Sequence, residues 1–92
     1  NVESIQNVVA SYFNLNIQEM LSSRRSRSLA RPRQIAMYLA KQHTTNSLPD
    51  IGRKFSNRDH TTVIHAVKKI DELIKKDNDI KQSVFELKKK LI

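Results

Sequence analysis

The chain has 92 residues, with 17 Lys and Arg against 9 Asp and Glu, a net charge of +8, and 38% apolar residues. That is enough for one small core and no more. There is no cysteine, which excludes a disulfide framework or a thiolate metal site. No apolar run approaches the roughly 18 residues of a membrane span, and no signal-peptide pattern is present. Because the chain begins at Asn1 rather than Met, it is expected to be one domain, residues 1–92, of a longer protein.

Apolar residues recur with helical spacing almost throughout, and only one Gly and two Pro interrupt them. In "NVESIQNVVASYFN", Ile5, Val8, Val9, Tyr12 and Phe13 make one apolar face of a first helix. Asn16 with Glu19 reads as a capping pair that opens a short helix through Ile17, Met20 and Leu21. In "SSRRSRSLARP" the periodicity breaks, predicting a basic loop. Pro32 then suits the first turn of a helix running from about 32 to 44, with Ile35, Ala36, Leu39 and His43 inward. Ser47 and Asp50 form a second capping signature, ahead of a short helix with Leu48, Ile51 and Phe55 inward. Ser56 and Asn57 predict a turn, after which Asp59 caps a long helix carrying Val63, Ala66, Val67, Ile70, Leu73 and Ile74. A last amphipathic helix carries Ile80, Val84, Leu87 and Leu91. The expected fold is all-α, a compact bundle of about six helices with a helix-turn-helix unit preceded by a basic loop.

The charge is unevenly placed. Arg24, Arg25, Arg27, Arg31, Arg33 and Lys41 lie between Met20 and Pro49 without one acidic residue. Five arginines within ten positions exceed what solubility requires and suit a polyanion, either nucleic acid or an anionic membrane surface. An amphipathic last helix ending in "KKK" would serve the membrane reading, but its apolar stripe is needed for the core.

The stretch "RDHTTVIH", residues 58–65, concentrates an acid, two hydroxyls and two imidazoles. On a helix advancing about 100° per residue, His60 and His65 stand about 140° apart, so they do not converge on a metal. His43 lies on another helix, and no metal is expected. No nucleophile elbow, oxyanion loop or G-x-x-x-x-G-K-[ST] phosphate loop occurs, so no catalytic residues are expected and the chain is not expected to be an enzyme. The same helical phase sends Thr61, His65 and Lys68 outward, opposite the apolar stripe. Short polar side chains at a helix start fit a duplex groove: Thr offers a methyl to thymine and a hydroxyl to phosphate, and Asp accepts from cytosine. The helix N-terminus adds a partial positive charge. One arginine of the basic loop in the minor groove and the long helix in the major groove would complete a bipartite grip on DNA. A transcription regulator with a similar unit is open on this reading.

"RRSRSLARPRQIAMYLAK", "SLPDIGRKF" and "RDHTTVIHAVKKI" together resemble the C-terminal DNA-binding domain of the bacterial chromosomal replication initiator family DnaA, and the likeness spans essentially the whole chain. It implies binding of double-stranded DNA at short origin sequences called DnaA boxes, in the bacterial cytoplasm, in support of replication initiation. Arg25 matches the arginine that enters the minor groove. Asp59, His60 and Thr61 match the residues that read bases in the major groove, with Leu48 and Pro49 on thymine methyls. Arg33, Gln34, Lys41, Thr62 and His65 match positions at phosphates. The family's ATP and Mg site belongs to an upstream module, so no cofactor is expected here. Regulatory proteins and acidic phospholipid are further partners implied for the full-length protein.

Overall fold

A computed structural model describes all of residues 1–92 and contains six helices and no strand. In chain order these are α1 (Val2–Tyr12), α2 (Ile17–Met20), α3 (Arg27–His43), α4 (Leu48–Lys54), α5 (His60–Lys76) and α6 (Asn78–Lys90). The all-α reading and its helix-turn-helix order are what the molecule has. Helix α3 is the central strut, packed against α1, α2, α4 and α5, while α6 closes the bundle against α5 and α1. The core joins Met20, Ile35, Met37, Leu39, Ile51, Phe55, Ile70 and Leu87, all fully buried.

Local chemistry sets most helix starts. The Asn16 side chain accepts from the Gln18 and Glu19 amides, Ser47 from the Asp50 amide, and Asp77 from the Asp79 and Ile80 amides. Each satisfies donors that the first helical turn leaves without partners.

Three expectations need correction. Helix α3 begins at Arg27, not near Pro32, so the basic loop shortens to residues 22–26 and Pro32 lies inside the helix. Packing outweighs the bond to Ser28 that a proline cannot donate: Leu29 is buried, and Leu29 and Ala30 both donate to the Ser26 carbonyl, at 3.0 and 2.8 Å. His43 is exposed in the last turn of α3 rather than inward, so the buried stripe ends at Leu39 and Ala40. Tyr12 is also exposed, because α1 turns Val2, Ile5, Val9 and Ala10 to the core and leaves Tyr12 at its rim, edge-on to Phe13.

The turn joining α4 to α5 is tight. Ser56 and Asn57 both adopt positive φ, 59° and 56°, a left-handed conformation that costs ordinary residues energy and persists only when its surroundings enforce it. They do so here: Asn57 N donates to the Arg53 carbonyl at 3.1 Å, and Arg58 N to the Gly52 carbonyl at 2.8 Å. Gly52 is needed for closeness rather than for conformational freedom. A Cβ there would collide with the Arg58 carbonyl oxygen and lie 3.3 Å from its carbon. Gly52→Ala therefore forces α4 away from the start of α5 and is expected to cost about 1–3 kcal/mol, read as a lowered urea midpoint with an unchanged slope. An unshifted midpoint would mean that the turn relaxes freely.

Candidate nucleic-acid interface

The basic loop leaves helix α2 at Met20, where helix geometry leaves carbonyls without partners. Two arginines from elsewhere supply the donors. Arg33 of α3 donates from Nε to the Met20 carbonyl at 2.6 Å and from Nη2 to the Arg24 carbonyl at 3.0 Å. Arg58, at the threshold of α5, donates from Nη1 to the Leu21 carbonyl at 3.1 Å and the Phe55 carbonyl at 2.8 Å, and from Nη2 to the Ser22 carbonyl. Ser56 Oγ adds a second donor to Leu21, at 2.8 Å. The loop backbone is thus fastened to α3 on one side and to the α4–α5 turn on the other. A planar guanidinium, with its fixed fork of donors, suits separated carbonyls better than the compact point charge of a lysine ammonium. Burial lowers the pKa of both guanidinium groups from the ordinary arginine value, and for Arg33 the nearby Arg58 charge lowers it further. No buried side-chain nitrogen or oxygen in the molecule lacks a partner.

With the backbone fastened, Arg24, Arg25 and Arg27 face outward. Arg25 and Arg27 are exposed and take part in none of the chain's ion pairs. Arg24 reaches Glu19 at 3.4 Å, an exposed pair of little energetic weight.

The first turn of α5 lies beside this loop. Asp59 is its N-cap: Oδ1 accepts from the Thr61 amide at 3.2 Å and lies 2.9 Å from His60 Nδ1. Both contacts use the same oxygen, and no donor in the chain reaches Oδ2. His60, Thr61 and Thr62 are exposed, and Val63 behind them is fully buried. His65 is exposed one turn on. It lines a shallow hollow with Gln34, Lys68, Lys69 and Glu72, and a second with Thr62, Ala30 and Met37. Gln34 is steadied by Arg31, whose Nη1 donates to Gln34 Oε1 at 3.0 Å. Pro49 is exposed and Leu48 half-buried at the start of α4, while Lys41 is exposed far along α3.

The structure therefore brings Gln34, Thr62 and His65 to adjoining hollows between α3 and α5, and leaves Asp59, His60, Thr61, Arg25 and Pro49 open. Arg33 is different. It is only 8% exposed, and its guanidinium is directed inward to the loop carbonyls. Sequence reasoning assigned no role to Arg58 or to Ile64. Ile64 is 37% exposed on the same side of α5 as Thr61 and Lys68, although the other aliphatic residues of the helix turn inward. Helical phase alone places it there, about 40° from His60. Groups of three or more His, Cys, Asp or Glu able to hold a metal do not occur.

An exposed polar helix start and a fastened, acid-free cationic loop on a helix-turn-helix frame define a nucleic-acid-binding class of protein. Comparison with known proteins narrows this. The sequence matches the family described as "Bacterial dnaA protein helix-turn-helix" over residues 2–70, and the chain belongs to that family, as the C-terminal domain its motifs resemble. It is 57% identical over 88 residues to the chromosomal replication initiator protein DnaA of Wolbachia pipientis wMel, covering 96% of this chain and 19% of that protein. It is 53% identical over 91 residues to the protein of the same name from Brucella abortus, covering 99% of this chain and 18% of that one. The chain thus spans about a fifth of the length of these relatives. A solved structure described as a DNA replication initiation factor superposes with a TM-score of 0.85 at 36% identity, over 97% of this chain and 27% of that one.

The clamp has a measurable signature. Arg33→Lys keeps the charge but gives up the fork, so amide exchange in residues 22–25 should quicken, while stability falls by about 1–3 kcal/mol as carbonyl partners are lost. Unchanged exchange in the loop would show that Arg58 suffices alone.

Proposed function

We propose that residues 1–92 act as one DNA-binding domain that recognises DnaA boxes in double-stranded origin DNA and so supports the initiation of chromosomal replication in the bacterial cytoplasm. The observation that carries this reading is the fixed relation between two open surfaces, the arginine loop and the first turn of α5. A duplex presents adjacent minor and major grooves, and Arg33 and Arg58 set the two surfaces in register for them.

In the major groove, Asp59, His60 and Thr61 read base edges, and Leu48 and Pro49 meet thymine methyl groups. Asp59 can cap α5 with Oδ1 and still accept from a cytosine amine with Oδ2. Arg25 enters the minor groove, where a weakly hydrated guanidinium favours the concentrated negative potential. Gln34, Lys41, Thr62 and His65 meet phosphates. Arg33, matched by resemblance to a phosphate position, acts here by holding the loop that presents Arg25.

Catalysis is assigned to no residue of this chain. With a single Gly, at position 52 in a helix, it has no loop that could wrap a nucleoside triphosphate. The residues present do not fit ATP or its magnesium.

Fluorescence anisotropy against a box-containing duplex and a scrambled duplex tests the reading, and equal affinity at moderate salt would overturn it. Arg25→Ala and Thr61→Ala should each cost about 1–3 kcal/mol on the box. Thr61→Ala should also relax discrimination. Lys41→Ala should instead weaken box and scrambled duplex alike and reduce the salt slope by about one.

A further inference from the structure

Between the C-terminal half of α5 and α6 lies a groove that the DNA-binding reading does not use. It is lined by Ile74, Asn78, Lys81, Gln82, Val84, Phe85 and Lys88. Ile74 stands fourteen positions after His60, about 20 Å along the helix axis at 1.5 Å per residue, so a duplex on the first turn of α5 leaves the groove free. Phe85 is 54% exposed, the most exposed aromatic side chain of the molecule. A ring left in water carries a burial free energy that a partner can recover.

The surroundings of the ring specify that partner's charge. Lys81 and Lys88 line the groove, Lys89 places Nζ 4.5 Å from the Phe85 ring centre, and no carboxylate is among the lining residues. An apolar floor flanked by three lysines, with the neutral Asn78 and Gln82 completing the rim and Gln82 donating to Glu86 at 2.8 Å, is complementary to an apolar side chain flanked by carboxylates. The shape argues for a polypeptide rather than a membrane surface. The site is concave with one projecting ring, whereas α6 directs Ile80, Val84, Leu87 and Leu91 to the core and has no continuous apolar face to lay on lipid.

We propose that the α5–α6 groove docks a short acidic segment of a partner protein, with one apolar side chain packed on Phe85 and its carboxylates on Lys81, Lys88 and Lys89, and that it can do so while the chain is bound to DNA. A protein held there would be brought to the DNA site without competing for it.

Selection of short random phage-displayed peptides on the 92-residue chain tests this. Recovered peptides should be acidic around a single large apolar residue. Their affinity should fall about tenfold in Phe85→Ala, and comparably in the double variant Lys81→Glu with Lys88→Glu. Box duplex should leave peptide affinity unchanged, and Phe85→Ala should leave duplex affinity unchanged. Because Phe85 is exposed, its removal spares the core, and an unaltered thermal midpoint verifies this. The proposal is overturned if no peptide is enriched, if the peptides bind independently of Phe85, or if box duplex displaces them. It is equally overturned if Phe85-dependent binding is found only to vesicles containing phosphatidylglycerol. Loss of box discrimination in the intact chain would refute the DNA reading alone and leave this result standing.

Discussion

Two guanidinium groups, that of Arg33 buried and that of Arg58 half-buried, donate to the carbonyls of Met20, Leu21, Ser22 and Arg24 and hold the basic loop in place beside the helix-turn-helix. A loop dense in arginine repels itself and, left alone, would sample many conformations. Its own side chains supply only local ties: Ser22 Oγ donates to the Glu19 carbonyl and accepts from the Arg24 amide, and Arg24 forms an exposed pair with Glu19. Carbonyl dipoles can be held by cations, so the charge that would loosen the loop is also what fastens it, provided it arrives from α3 and from the edge of α5. The cost is two neighbouring desolvated positive charges, and the lowered pKa of both arginines is its sign. Carbonyl oxygens on each offset that cost, as buried charge requires.

Arg58 occupies the junction where this constraint meets the helix-turn-helix. Its amide closes the turn onto Gly52, its side chain holds the loop, and its successor caps α5. The close approach of α4 to that backbone and the pinning of the loop are therefore parts of one arrangement. A shift in the turn would move the loop with it. For a surface that is to match two grooves of one duplex, such coupling removes a freedom that binding would otherwise have to freeze.

What was legible in the sequence was local or periodic. Asn16, Ser47 and Asp59 were readable as caps because their partners lie within three positions, and the inward residues of α5 followed from the helical period alone. The start of α3 was not. Pro32 is a strong local signal for a first turn, and only the burial of Leu29, a tertiary fact, moves the start five residues upstream. The inward turn of Arg33 and the role of Arg58 were hidden for a similar reason. Their acceptors are backbone atoms 13 and 36 positions away, and a carbonyl has no side-chain identity to betray it. The family resemblance covered both arginines and gave Arg33 a place at or near the phosphates, but said nothing of its hold on the loop carbonyls. His43 differs: the helical period alone points it inward, but α3 leaves the core after Ala40.

The carboxylate of Asp59 divides its two oxygens between separate masters. Oδ1 belongs to the fold, accepting from the Thr61 amide beside His60 Nδ1, and Oδ2 faces outward without an intramolecular partner. An asparagine in that place would keep an acceptor for the helix and present an NH2 group outward. The chemical polarity of one surface atom is therefore separable from the stability of the helix that bears it. A surface built in this way can change what it reads by altering single atoms, while the scaffold beneath remains the same.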